Sequence, residues 1–332
     1  MRNILTRIIQ GEDLSFEESH QMMLGIMSGK FSDAQIGAFL ATLSAKGETA
    51  QEIAGFAKAM RSKMVQVHVE VDAIDMCGTG GDGIGTFNIS TAASFVVAGA
   101  GVPVAKHGNR SISSQSGSAD VLAEMGVDIQ MSREKIAACI NNIGLGFLFA
   151  PAFHPAMKFV MPARKSLGIR TVFNILGPLC NPAKVKRQMI GLFDGNLSRK
   201  MAEVLLLLDA KSAMLVHGAD GMDEITTTGP TQINAFNSDG KISTSEFHPE
   251  SVGFKKVPAE KLQGGDAKTN AQIIRRILDG QAGPHREIVV LNAAAGLIVG
   301  GKAAGFLEGK AIAEDSIDSG AAKDILNRLK TA

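Results

Sequence analysis

Three times in the first 64 residues a hydroxyl side chain is followed three places later by Glu or Gln and then by apolar residues at helical spacing. The pairs are Ser15 with Glu18, Ser32 with Gln35, and Thr49 with Glu52. Each is a capping-box pattern, in which the two side chains satisfy backbone N–H groups that a helix start leaves open. Gly29 and Gly47 stand where two of these helices should stop. Residues 1–64 therefore predict a small all-helical unit. It is rich in large apolar residues, among them Met22, Met23, Ile26, Ile36, Phe39 and Leu40. A small unit this apolar is expected to bury a face against the rest of the chain or against another subunit.

From about residue 72 the pattern changes. Short apolar runs, "AIDMC", "VPVAK", "GFLFA", "QMIGLF" and "AMLVHGA", alternate with helical stretches such as "STAASFVVAGA", "REKIAACINNI" and "RKMAEVLLLLDA". Apolar strands alternating with helices imply a largely parallel sheet covered on both faces. The polar stretch "TQINAFNSDGKISTSEFHP" reads as a hairpin turning at Asp239 and Gly240. The last third returns to helix, through "DAKTNAQIIRRILDG" and "EIVVLNAAAGLIVGG". The expected fold is α/β: a small N-terminal helical domain, 1–64, and a large domain, 65–332, whose mostly parallel central sheet is flanked by helices. No internal repeat or low-complexity linker interrupts this plan.

Composition narrows the function classes. Apolar residues make up 45% of the 332 and charged residues 20%, so a sizeable core is expected and disorder is not. Lys and Arg number 34 against 33 Asp and Glu, a net +1 that gives no general pull toward nucleic acid or anionic membrane. No apolar run approaches the roughly 20 residues of a membrane span, and the N-terminus shows no secretory pattern. The three cysteines, Cys77, Cys139 and Cys180, are too few and too scattered for a disulfide framework or zinc cluster. The expected compartment is the cytoplasm.

The 37 glycines are concentrated in one informative place, "DMCGTGGDGIGTFNISTAASFVVAGAG", residues 75–101. A strand leads into "GTGGD" and "NISTAASF" opens a helix. A glycine loop at the carboxyl end of a strand bares backbone N–H groups beside a helix N-terminus, which suits phosphate. Ser90 and Thr91 add hydroxyls there. No Lys follows to make a P-loop, and Asp82 would oppose a pyrophosphate in a dinucleotide fingerprint. A tight turn without a ligand fits the glycines equally well.

Two other loops bear on the choice. "KHGNRSISSQSGSAD", residues 106–120, follows the next strand and offers Lys106, Arg110 and the hydroxyls of Ser113, Ser114, Ser116 and Ser118; it is either a second phosphate-suited wall or a polar surface loop. In "HGADGMDEITTTGPT", Asp223 and Glu224 form an adjacent acidic pair. Loop acids are commonly solvated surface, but two carboxylates facing two phosphate loops suit Mg²⁺, which takes few protein ligands plus water and substrate phosphates.

Together "GTGGD", "TFNIST", "KHGNR", "NILGPLCNPA" and "DGMDE" resemble, in order and spacing, the anthranilate phosphoribosyltransferase family, and the likeness runs over nearly the whole chain. The resemblance implies transfer of the 5-phosphoribosyl group from phosphoribosyl pyrophosphate to the amine of anthranilate, with release of pyrophosphate, in tryptophan synthesis. It implies a Mg²⁺-dependent cytoplasmic homodimer, with two Mg²⁺ per monomer. The active site would lie in a cleft between the helical domain, joined by a piece at about residues 160–185, and the α/β domain. A chain without Trp suits an enzyme made when tryptophan is scarce.

Residue roles follow from the same resemblance. Gly78, Gly81, Asp82, Thr86, Asn88, Ile89, Ser90 and Thr91 would contact phosphoribosyl pyrophosphate. Lys106, His107, Gly108, Asn109, Arg110, Ser111, Ile112, Ser113, Ser114 and Ser118 would form its second wall. Lys106, Arg110 and Asp82 would act by electrostatics and positioning, with no protein nucleophile. Ser90, Asp223 and Glu224 would be Mg²⁺ ligands. Gly78, Asn109, Arg164, His107, His154 and Pro178 would meet anthranilate, Arg164 matching its carboxylate. Departures from the family pattern fall at Cys77 and at Gly296 and Gly305, placed in C-terminal helices where Ala or Ser would stiffen the chain. Pyrimidine nucleoside phosphorylases share this architecture but bind free phosphate and a nucleoside; "KHGNR" and the Asp223, Glu224 pair argue for the diphosphate. A nucleic-acid-binding relative would want a basic cleft rim, against which the net charge speaks.

Overall fold

In a computed structural model of the chain, which describes residues 1–110 and 115–332, the two textures of the sequence become two packed regions. Helices α1 (Arg2–Ile9), α2 (Phe16–Met27), α3 (Asp33–Lys46) and α4 (Ala50–Lys63) make up the first. All three capping boxes form with both reciprocal bonds. Gly29 takes the left-handed conformation just past α2, φ 69°, and its N–H closes the helix on Ile26 O at 3.0 Å. Gly55 lets α4 lie against α2, because a Cβ there would stand 2.4 Å from Phe16 O.

The apolar residues singled out in the helical unit are buried within the chain itself. Phe39 is fully buried, and its ring meets Phe56 edge to face at 5.9 Å. Met22, Met23, Ile26, Ile36 and Leu40 are buried with it. Of the two alternatives, a face against the rest of the chain or against another subunit, these residues take the first. They are core, each worth roughly 1.5–3 kcal/mol of burial, and Phe39→Asp would unfold the unit. The partners that complete this core come from later in the chain, including Val160, Ala163, Phe173, Ile175 and Leu176.

The second region is built on a seven-stranded sheet among the described residues, in the order β3-β2-β1-β4-β5-β6-β7. Strands β1 (Ile74–Gly78), β2 (Val104–Gly108), β3 (Leu145–Phe149), β4 (Arg187–Gly191) and β5 (Ser212–Gly218) are parallel. The predicted hairpin adds β6 (Thr231–Phe236) and β7 (Ser243–Phe247) antiparallel at one edge. Period-two alternation sends successive residues to opposite faces. Met189, Met214 and Val216 join the core under α5 (Ile89–Gly99) and the helix Pro284–Val299. Ile190, Ala213 and Leu215 join the core shared with the helical unit. Both faces are therefore covered, as apolar parallel strands require.

Gly296 is not a soft spot in its helix. A Cβ there would stand 2.7 Å from Met76 Sδ and 2.9 Å from Val97 Cγ2, so the glycine lets Pro284–Val299 lie flat against β1 and α5. Gly305 precedes the helix Phe306–Asp318 as its N-cap and does not lie inside it. No helix among the described residues is long and apolar enough to cross a membrane.

Candidate functional site

The carboxyl ends of β1, β2, β4 and β5 point the same way, and the loops that leave them meet. The glycine loop after β1 needs its glycines for two different reasons. Gly80, Gly81, Gly83 and Gly85 hold φ of 65°, 76°, 76° and 78°, the left-handed region costly for other residues. Beside them the space is open: of the four, only Gly81 has an atom within 4 Å of where a Cβ would stand, the Arg170 Nη2 at 3.8 Å. Gly78 is required by contact, since a Cβ would stand 2.4 Å from Asp223 Oδ2.

The acidic loop after β5 docks onto that glycine loop. Gly80 N–H donates to Asp223 Oδ2 at 2.8 Å, and Ser90 N–H, at the first turn of α5, donates to Glu224 Oε1 at 3.0 Å. Asp82 accepts from Ile84 N–H at 3.3 Å and from Asp223 N–H at 3.5 Å, so it organises the loop from within. Burial holds both carboxyls well above the usual carboxylate range, helped at Asp223 by the charge of Asp82 and at Glu224 by the charges of Asp223 and Asp82. Lys106 supplies the nearby positive charge. Its buried ammonium donates to Met76 O at 2.7 Å and to Ser90 Oγ at 3.3 Å, and burial lowers its pKa against the pull of Asp75 and Glu224. It stands on β2, and its ammonium reaches across to β1 and the first turn of α5.

The other expected residues take distinct positions. Thr86 pairs with Gln263 in an isolated antiparallel bridge. Ile89 and Thr91 are buried, and the Thr91 hydroxyl has no hydrogen-bond partner among the described residues. Gly108 allows close approach, a Cβ there standing 2.3 Å from Ser118 Oγ. Asn109 is exposed; its side chain accepts from Arg110 N–H at 2.8 Å and its carbonyl from Ser118 Oγ at 3.3 Å. Arg110 is turned to Asp120 at 2.9 Å. Ser111, Ile112, Ser113 and Ser114 lie outside the described residues.

A second group gathers beside β2. His107 and His154 face each other, Nε2 to Nε2, at 3.3 Å, and each also bonds to the backbone, at Gly177 and Cys180 respectively. Burial lowers His107 to about 3, with His154 adding to the effect, and lowers His154 to about 4. Pro178 O accepts from Gln188 Nε2 at 2.7 Å, which fixes the "GPLC" turn under both rings. Arg164, half-buried on the helix Met161–Leu167, lies with its guanidinium 5.3 Å from the Phe173 ring centre.

Sequence reasoning missed several supports. Buried Asp75 accepts from His107 N–H at 3.1 Å and from Asn181 Nδ2 at 2.8 Å, tying β1, β2 and the "NPA" turn together. Asn292, on Pro284–Val299, accepts from Ile225 N–H at 2.9 Å and donates to Ile225 O at 2.9 Å, anchoring the acidic loop from below. Arg170 donates to Gly81 O at 2.6 Å and stacks 4.0 Å from the Phe193 centroid. Asp75 inside "AIDMC" and Asn292 inside "EIVVLNAAAGLIVGG" are polar residues in apolar runs, but their partners lie far along the chain.

Glycine loop, buried cation and docked carboxylates lie together, and the chain as a whole is similar to known proteins. A profile described as "Glycosyl transferase family, helical bundle domain" matches residues 2–64, and one described as "Glycosyl transferase family, a/b domain" matches residues 70–323. The chain is 49% identical over 329 residues to the anthranilate phosphoribosyltransferase of Bradyrhizobium sp. (strain ORS 278), covering 99% of this chain and 97% of that one. It is 50% identical over 331 residues to that of Parvibaculum lavamentivorans, covering 100% and 97%.

The chain belongs to the anthranilate phosphoribosyltransferase family.

Solved structures of family members agree. The anthranilate phosphoribosyltransferase of Thermus thermophilus superposes with a TM-score of 0.93 at 41% identity, covering 98% of each chain. The Saccharomyces cerevisiae enzyme in complex with phosphoribosyl pyrophosphate and Mg superposes with a TM-score of 0.89 at 28% identity, covering 100% of this chain and 98% of that one. The same yeast enzyme is also known in complex with 4-fluoroanthranilate, with a TM-score of 0.86 at 28% identity and coverage of 96% and 93%.

Proposed function

We propose that this chain carries out its family's transfer, with phosphoribosyl pyrophosphate on the glycine loop and anthranilate beside Arg164. The observation that carries the residue assignment is the docking of Asp223 and Glu224 onto Gly80 and Ser90, which puts two carboxylates at the mouth of a phosphate-suited loop. Among the described residues no three His, Cys, Asp or Glu side chains stand as a self-sufficient metal cluster. Two acids with a hydroxyl are the donor set suited to Mg²⁺ that also binds substrate phosphate. Burial first, and neighbouring acid charge second, raise both carboxyls, and a nearby cation would lower them again. Asp223, Glu224 and Ser90 would hold Mg²⁺, taken as two ions per monomer, and the ions would offset the charge that builds on departing pyrophosphate.

The chain's own groups do the rest. N–H groups of the glycine loop and the first turn of α5 face developing negative charge, with Lys106 beneath them. Asn88, Ser90 and Ser118 border the phosphoribosyl site, while Gly78, Asn109, His107, His154 and Pro178 shape the space for the acceptor. Arg164 holds the acceptor carboxylate and so aims its amine at the ribose carbon. An aromatic amine arrives unprotonated and needs no strong base.

The working unit is a homodimer of two-domain subunits. Residues 1–64 with the piece at 160–185 form the helical domain, supported by their common core. The remainder forms the α/β domain. The dimer would use the apolar surface left on α1 and near residue 161, where Ile9 and Met161 are exposed, and sedimentation tests it. Three free thiols suit the reducing cytoplasm. The activity test is loss of anthranilate fluorescence with phosphoribosyl pyrophosphate and Mg²⁺. Phosphorolysis of pyrimidine nucleosides in its place would move the chain to the other enzyme class.

A further inference from the structure

Asn88 sits at the N-cap position of α5, yet its side chain makes no capping bond to the helix. Its amide is used elsewhere. Nδ2 donates to Ser116 O at 3.2 Å, and Oδ1 accepts from Asn270 Nδ2 at 3.0 Å. Asn270 is itself buried on the helix Ala267–Leu278, and its Oδ1 accepts from Gly265 N–H at 2.8 Å.

Residues 263–265 lie as a strap along the far end of the glycine loop. Gln263 pairs with Thr86, and Gly264 N–H donates to Gly85 O at 3.0 Å. Gly264 has no room for a side chain, since a Cβ would stand 2.6 Å from both Phe87 N and Asn270 Oδ1. Residues 80–85 carry four left-handed glycines with open space beside them, so that stretch has few side chains of its own to fix its shape. At the distal end the order must come from outside, and Asn270 bonds the strap and the start of α5 together. A buried amide with both ends bonded fixes its neighbours in one arrangement, and losing it would leave Asn88 Oδ1 and Gly265 N–H unpaired.

We propose that Asn270 is a positioning residue for phosphoribosyl pyrophosphate, holding the distal half of the glycine loop and Asn88 in the conformation that receives it. This rests on the functional reading above. Asn270 touches no substrate and acts through Asn88 and Gly265.

The test compares Asn270→Ala, Asn88→Ala and the double variant. Asn270→Ala should raise the KM for phosphoribosyl pyrophosphate roughly tenfold and leave the anthranilate KM within about twofold, with 1.4 kcal/mol being a factor of ten. The double variant should be little worse than Asn88→Ala alone, because coupled residues are not additive. Hydrogen exchange of the substrate-free protein should show residues 85–89 exchanging faster in Asn270→Ala than in wild type. Equal rises in both KM values, multiplying effects in the double variant, or unchanged exchange at 85–89 would each overturn the proposal. Should Asn270→Ala not fold, Asn270→Asp serves in the same measurements, since it keeps the acceptor for Gly265 and loses the donor to Asn88. Exchange needs no turnover, so a wild type that fails to consume anthranilate defeats the functional reading and leaves this test standing.

Discussion

Asp223 is seated on Gly78: its Oδ2 stands where a Cβ on that glycine would be, 2.4 Å away, and accepts the N–H of Gly80 at 2.8 Å. The acid pair is thus built into the glycine loop, which changes what its removal should do. Asp223→Asn with Glu224→Gln keeps an acceptor for Gly80 and Ser90 and removes two buried, mutually repelling charges. Thermal stability near pH 8 should hold or rise. Activity at millimolar Mg²⁺ should fall at least a hundredfold, about 2.7 kcal/mol at about 1.36 kcal/mol per tenfold. Calorimetry and the fluorescence assay check the two halves, and unchanged turnover would remove the acids from the site.

The same seat makes a glycine prediction. A Cβ on Gly191, at the end of β4, would stand 1.6 Å from Asp223 O, a contact no side-chain rotation relieves because the obstacle is backbone. Gly191→Ala should cost about 2 kcal/mol or more, as overpacking in a well-filled region does. The acidic loop should shift with it, so Mg²⁺ dependence should weaken even where the protein still folds. A variant with wild-type melting temperature and activity would contradict the geometry.

The helical unit and the sheet were legible because their signals are local. Capping boxes act over three residues and alternation over two, and both formed where the pattern put them. The apolar faces of α2 and α3 could not be assigned a partner, because Val160, Phe173 and Leu176 complete that core from over 100 residues away. In the site, glycines and acids announced themselves by type. Asp75, Asn181, Asn270 and Asn292 did not, since a buried Asn or Asp is defined by bonds to distant backbone that no spacing reveals. Gly296 misled for the same reason: its need is a close approach to Met76, which the helix sequence does not contain.

The buried histidine pair gives the chain an acid weakness with a defined sign. His107 is lowered to about 3 and His154 to about 4, against 6.5 in an unfolded chain. Between those values the unfolded state binds more protons than the fold. The stability is complete above about pH 6.5 and is lost as pH falls toward 3–4, by up to about 1.4 kcal/mol per pH unit per histidine. Asp223 and Glu224, whose carboxyls are raised, act in the opposite sense, so the comparison is between variant and wild type. His154→Asn should lose less stability than wild type between pH 6.5 and pH 4 in urea titrations. Parallel slopes would mean that His154 is charged or solvated in the fold.

In the proposed function Arg164 would hold the acceptor's carboxylate. Its guanidinium rests 5.3 Å from the Phe173 ring centre and approaches only Met161 Sδ, at 4.0 Å, among its hydrogen-bond contacts with described residues, so its charge is oriented by stacking and not spent on a carboxylate of the chain. Anthranilate carries its carboxylate beside the reacting amine, and one charge-assisted contact there is worth about 1.5–3 kcal/mol. Arg164→Ala should raise the anthranilate KM roughly tenfold to a hundredfold at about 1.4 kcal/mol per tenfold. Arg164→Lys should recover only part of that, since an ammonium lacks the planar fork that stacks on Phe173 and pairs with a carboxylate. The KM for phosphoribosyl pyrophosphate should stay within about twofold, because the Gly80, Ser90 and Lys106 contacts lie on other elements. Steady-state kinetics with each substrate varied in turn separates the cases. Equal losses toward both substrates, or a loss confined to the diphosphate, would place Arg164 on the other side of the reaction.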